Sequence, residues 1–263
     1  MSDRVTISRD GPVATVTMNR PDKLNALDVT QIEAIVAAGA SLATARDVRA
    51  VVLTGAGGSF CAGLDIAAMP VIAELARSTG FMTRSHGRSN LFQAAAMTWA
   101  ELPQPVIAAV EGHAYGGGFQ IMLGADIRVA APSAKFAIME AKWGLVPDMG
   151  GMVLARRLLR GDVLRRLTYT AEVFDAEGAL DWGVVTELAD DPLARAQALA
   201  AMIASRSPDA VRAAKRLISD TEVMGAGDVL LEESAAQEAL VGQPNQLEAV
   251  MAGFEKREPK FTD

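Results

Sequence analysis

Pro105-Val106-Ile107-Ala108-Ala109-Val110, then Glu111-Gly112-His113-Ala114-Tyr115-Gly116-Gly117-Gly118, then the apolar run 119–125, decide the fold. The first six residues are apolar without alternation, as expected of a strand buried on both faces. A glycine loop leaves its end, and an apolar helix follows. The same order stands upstream, where Arg49-Ala50-Val51-Val52-Leu53-Thr54 runs into Gly55, Gly57 and Gly58 and on to a helix start at Asp65. Two strand, glycine loop, helix units in one chain predict crossover connections and an α/β sheet.

Working outward, Val5-Thr6-Ile7-Ser8 and residues 13–18 alternate around Gly11-Pro12, which predicts an opening hairpin. Asp28 and Gln31 form a capping-box-like pair that starts a helix over 28–45. Short strands are predicted at 126–130, 135–138 and 184–188. Beyond that only helices are expected, over 192–205, 208–219, 227–241 and 244–257, with Pro208 and Pro244 at first helical positions. The expected organisation is therefore a core over 1–195 and a helical region over 196–263.

Composition excludes several partners. The 263 residues carry 25 basic and 32 acidic side chains, a net charge of −7, so no broad basic face is available for nucleic acid. Two histidines and one cysteine, without H-x-x-x-H or C-x-x-C spacing, argue against a metal site. The longest charge-free stretch, 50–64, is too short and glycine-broken to span a bilayer. Asp3, Arg4, Arg9 and Asp10 break any apolar export segment, and Cys61 has no partner for an internal disulfide, so a cytoplasmic protein is expected.

A backbone offers bare N–H groups to an oxyanion only where side chains leave room and a helix start adds its positive end. Gly116-Gly117-Gly118 ahead of Phe119-Gln120 meets that need; its bland alternative is close packing of helix on strand. Neither glycine loop carries the Lys-Ser/Thr of a P-loop or a G-x-G-x-x-G pattern, which disfavours a nucleotide cradle. Cys61 reads as a small buried residue, since no imidazole lies near it in sequence.

Residues 53–66, together with Ala109-Val110-Glu111-Gly112-His113-Ala114-Tyr115-Gly116-Gly117-Gly118 and Asp126-Ile127-Arg128-Val129-Ala130, resemble the crotonase group, the enoyl-CoA hydratase/isomerase superfamily. Asn25-Ala26-Leu27, Gly144-Leu145-Val146-Pro147, residues 179–185 and Phe254-Glu255-Lys256-Arg257 extend the resemblance over nearly the whole chain. It implies an α/β spiral of ββα turns with a C-terminal helical region that forms trimers, often paired into hexamers. It also implies an acyl-CoA thioester whose carbonyl sits between the backbone N–H groups of Leu64 and Gly117. No cofactor beyond the coenzyme A of the substrate is implied. Ala62, Gly63, Asp65, Ile66 and Gly116 are placed along that substrate, with Lys23 and Lys256 as candidate phosphate partners or plain surface charges.

Relatives that hydrate enoyl-CoA carry two glutamates. Here the first position is Gln120, which cannot exchange a proton but has an amide able to hold water or a substrate oxygen. The second is Glu140. Asp148, eight residues on, resembles the acid of dienoyl-CoA isomerases; its plain alternative is capping of a helix over 152–159. Dehalogenases place an aspartate at this position too, but with tryptophan at the Glu140 position. His86 and His113 read as structural or solvent-facing, and Met69, Met82 and Met97 as packing or acyl-pocket lining. The reading is double-bond isomerisation by Glu140. Hydration at a modified site and passive acyl-CoA binding are the alternatives.

Overall fold

A computed structural model describes residues 3–263. Strands β1 (Val5–Asp10) and β2 (Val13–Met18) form the hairpin, with Asp10 opposite Val13 across the turn. β2 then pairs in parallel with β3 (Ala50–Gly55), β3 with β4 (Val106–Val110), β4 with β6 (Ile127–Ala130), and β6 with the two-residue β9 (Glu187–Leu188). A second, three-stranded sheet joins β5 (His113–Tyr115), β7 (Lys135–Ala137) and β8 (Phe174–Asp175). Single bridges extend this layer, pairing Cys61 with Ala114 and Leu27 with Leu64. Each turn of chain thus adds a strand to the large sheet, an extended piece to the small one, and a helix. The expected α/β spiral of ββα turns is what forms.

Its register follows from alternate side chains on one strand. Val51, Leu53, Val106, Ala108 and Val110 face the main core, which also takes in residues of α1 (Val29–Ala43) and α3 (Leu91–Glu101). Ala50, Val52, Ile107, Ala109 and Val129 face the other way, onto Ala196, Ala200 and Ala204 of α8 (Pro192–Ala204). Both faces are covered, which is why these strands read as unbroken apolar runs. The 195/196 division falls inside α8, the helix that closes the second face.

Local departures from the sequence expectations have identifiable causes. Asp28 does cap α1 through the Gln31 N–H, but the Gln31 amide donates to the Arg4 carbonyl instead of completing a capping box. The strand expected over 184–188 shrinks to two residues. The Arg128 guanidinium takes the Val184 carbonyl, and the Val185 N–H donates to Ala179, so neither is free for a ladder. α9 (Pro208–Thr221), α10 (Ala226–Leu240) and α11 (Pro244–Glu255) follow the expected order. Lys215 of α9, buried, donates to the Trp99 and Gln104 carbonyls and to Asp126, fastening that helix to the core. No helix among the described residues is long and apolar enough to cross a membrane.

Candidate active site

The two glycine loops interlock. A Cβ on Gly118 would stand 2.5 Å from the Cys61 carbonyl oxygen, and one on Gly63 would stand 2.7 Å from that of Tyr115. Gly63 adopts φ +88°, so space and backbone angle both call for glycine there. The Leu27 N–H donates to Gly63, and the Asp65 N–H donates back to Leu27. That parallel bridge leaves the intervening Leu64 N–H unused, since no acceptor for it exists among the described residues. Gly117 opens α4 (Gly117–Leu123), and the N–H at that position has no partner within its helix. Leu27 joins the two: bridged to Leu64, it lies with Cδ1 2.8 Å from where a Gly117 Cβ would be.

Polar groups brace this arrangement from below. Asn25, wholly buried in the left-handed region at φ 57°, donates from its side chain to the Ala56 and Ser59 carbonyls and accepts from the Arg20 N–H. The Cys61 thiol donates to the Asn25 carbonyl, and its sulfur accepts from the Gly63 N–H. Burial pushes that thiol up to about 12, so Cys61 is a packing residue and not a nucleophile.

Glu140 begins a 3-10 turn after β7 and is only 9% exposed. A Cβ on Gly116 would stand 3.6 Å from its Oε1, which places this carboxyl beside the glycine triplet. Gln120 Nε2 donates to Glu140 Oε1 at 2.6 Å, while Oε2 is buried with no partner. Burial raises the Glu140 carboxyl above its ordinary range; the Gln120 bond pulls it down, and nearby Asp148 adds to the rise. A carboxyl poised this way can hold a proton as well as release one.

Gln120 differs from its expected role. Its Oε1 accepts the Met149 and Gly151 N–H groups, each at 2.9 Å, and the residue is 1% exposed. The amide oxygen and one N–H of its nitrogen are therefore engaged inside the protein. For Asp148, the plain alternative of a helix cap is not what forms. α5 (Gly151–Leu158) has no side chain of its own region at its start; Gln120 serves the Gly151 N–H instead. Asp148 stands at the solvent-exposed rim, where burial of its carboxyl still raises its pKa.

Other candidates fall nearer or farther. Asp65 caps the short turn Ile66–Ala68 through the Ala67 N–H and pairs with Arg20 at 2.8 Å. Burial opposes its charge, but Ala67, Arg20 and Lys23 outweigh that and hold the carboxyl below its usual value. Lys23 thus stands near the 62–66 segment, with Ile66 exposed beside it. Lys256 ends α11, and no hydrogen bond or ion pair joins it to these loops. His113 stacks edge-on against Tyr115 and faces Ser59, and His86 is exposed on Ser85. Of the three methionines, Met97 packs on Gly150, 3.1 Å from where its Cβ would be, whereas Met82 is exposed. Met149, unmarked by the sequence reading, sits with Sδ 2.6 Å from a Gly117 Cβ position. Only its place between two glycine-containing segments hinted at this.

A cavity of about 470 Å³ is lined by Val36, Leu75, Phe81, His86, Asn90 and Phe92 among others and by none of the site residues. No cluster of three or more His, Cys, Asp or Glu among the described residues is placed to hold a metal ion.

Comparison with known proteins places this geometry. The enoyl-CoA hydratase/isomerase family profile matches residues 8–263. An enoyl-CoA hydratase of Mycobacterium tuberculosis is 35% identical, covering 97% of this chain and 95% of that protein. A carnitinyl-CoA dehydratase of Salmonella arizonae is 33% identical, covering 99% of each. The crystal structure of an enoyl-CoA hydratase from Bacillus anthracis superposes with a TM-score of 0.90 at 29% identity, covering 98% of both chains. The spiral, the interlocked glycine loops and the C-terminal helices are thus those of a crotonase-type enzyme, and the chain belongs to the enoyl-CoA hydratase/isomerase family.

Proposed function

We propose that the protein shifts a double bond in an unsaturated acyl-CoA, with Glu140 as its single proton carrier. The observation that carries this reading is the buried, unpartnered Glu140 Oε2 beside the glycine triplet, with no second acid at the Gln120 position. Removing a proton next to a thioester drives negative charge onto the carbonyl oxygen. The unused Leu64 and Gly117 N–H groups are fixed donors for that charge, each worth roughly 3–4 kcal/mol in the transition state. Glu140 takes the proton from one carbon, and the enolate is stabilised. The same carboxyl then returns a proton two carbons along. Ala62, Gly63, Gly116 and Ile66 border the thioester and pantetheine side, and Lys23 faces the phosphates. A proton transfer of this kind requires no redox cofactor or metal.

Hydration or dehydration is a second reading, in which Asp148, whose negative charge adds to the rise of the Glu140 pKa, would be the second acid. The names of the hydratase and dehydratase relatives point the same way. Trimeric assembly belongs to the same proposal, supported by Leu230, Leu231 and Phe254, which are 62%, 70% and 82% exposed on α10 and α11.

Incubation with 2-butenoyl-CoA and 3-butenoyl-CoA in deuterated water tests the assignment. Bond migration with deuterium uptake is the expected result. A 3-hydroxy product transfers the assignment to hydration, and binding without either product leaves a passive acyl-CoA carrier.

A further inference from the structure

The amide of Gln120 has a chemically fixed orientation. Its Oε1 accepts two backbone N–H groups, Met149 and Gly151, so a flipped amide would aim its own N–H groups at two donors. Nε2 therefore points at Glu140, and the 2.6 Å bond makes Glu140 Oε1 an acceptor in both ionisation states. A proton placed on that oxygen would meet a donor. The remaining oxygen, Oε2, is buried and unpartnered. We propose that Gln120 is a positioning residue: it selects Oε2 of Glu140 as the oxygen that carries the mobile proton. It also fastens that carboxyl to the Met149–Gly151 turn that packs on Gly117. The inference rests on Glu140 being the proton carrier.

The step balances on one oxygen. An Oε2 lone pair takes the proton as the C–H bond breaks, and that bonding pair passes into the enolate held at the thioester oxygen. Return of the Oε2 proton to the distal carbon restores the carboxylate. A glutamate at position 120 would still accept from Met149 and Gly151. Its second oxygen, however, would face Glu140 Oε1 at hydrogen-bond distance, and the two acids would have to share a proton. That proton would sit between the acids instead of on the reacting oxygen. Gln120 keeps the backbone bonds and removes the competition.

The charges around Glu140 are few. Asp148 acts on it from the rim. On α6 (Gly161–Thr170), which packs against the Glu140 turn, Asp162 pairs with Arg160 and Arg166 with Glu172.

Two measurements test the inference. In the unaltered protein, the side-chain N–H resonances of Gln120 are followed by nitrogen-15 NMR against pH, with Glu140→Gln as reference. One Gln120 proton is expected to lie downfield and to titrate, and the titration is expected to vanish in Glu140→Gln. In parallel, the pH profile of kcat/KM for 3-butenoyl-CoA in deuterated water is compared between the parent, Gln120→Glu and Glu140→Gln. In Gln120→Glu the acidic limb is expected to move up by about one pH unit or more, with KM little changed. An inert Glu140→Gln together with an unmoved limb and a pH-insensitive Gln120 amide would overturn the positioning role and leave the reading of Glu140 intact. A fully active Glu140→Gln would overturn that reading itself. If Gln120→Glu fails to fold, the amide titration in the unaltered chain decides alone.

Discussion

The floor and the rim of the site are built by different means. On the floor, Gly116, Gln120 and Glu140 are held by buried hydrogen bonds, and Gln120 and Glu140 are 1% and 9% exposed. On the rim, Trp143, Leu145 and Val146 are 53%, 44% and 72% exposed, with Asp148 beside them. A carboxyl fixed by the core and one that reaches solvent stand only eight positions apart in the chain. A buried network admits one arrangement because each unpaired polar group there costs roughly 1–3 kcal/mol, whereas the rim carries no such constraint. The proposed proton transfer therefore belongs to the floor, where each polar group is fixed.

The sharpest way to break this division is Glu140→Gln. Loss of roughly 10²- to 10⁴-fold in kcat is expected, with CoA affinity preserved, since the change removes a proton carrier and little shape. Steady-state kinetics beside calorimetric CoA binding checks this; equal loss of both would move Glu140 out of the chemistry. Gly117→Ala comes next. Its Cβ would lie 2.6 Å from Met149 Sδ and 2.8 Å from Leu27 Cδ1, so those side chains or the backbone must give, and a loss of up to about 10²-fold in kcat is expected to the extent that the donor N–H is displaced.

Asp148→Asn sharpens the boundary between floor and rim. Removing a like charge lowers the Glu140 pKa, so the acidic limb of the pH profile should move down, with only a several-fold change in rate. A collapse of turnover as deep as that of Glu140→Gln would place Asp148 in the reaction and favour water chemistry. The smallest effect is expected of Val146→Ser on the exposed rim, within about 0.5 kcal/mol of parental stability by chemical denaturation.

The sequence made the floor's backbone legible because apolar strand runs and glycine triplets report local demands. Ala50–Gly55 and Val106–Val110 had to be doubly buried strands, and Gly63 and Gly118 stand where a Cβ has no room. The roles of polar side chains were less legible. Gln120 reads as a missing acid in sequence, yet its amide oxygen takes a pair of bonds from residues 29 and 31 positions away, which no local pattern encodes. The cap weighed as the alternative for Asp148 failed for the same reason: the distant Gln120 side chain that serves the Gly151 N–H is invisible in its own neighbourhood. Asn25, quoted for its place in a motif, proved to be the buried brace of the first glycine loop, a task set by contacts with Ala56 and Ser59.

A crystal structure of the complex with 3-butenoyl-CoA would show directly whether the two N–H groups and Glu140 meet on one substrate. The thioester oxygen is expected about 3 Å from both the Leu64 and Gly117 nitrogens, with Glu140 Oε2, not Oε1, nearest the carbon that loses its proton. A thioester oxygen bound away from either nitrogen, or a substrate carbon out of reach of Glu140, would contradict that expectation.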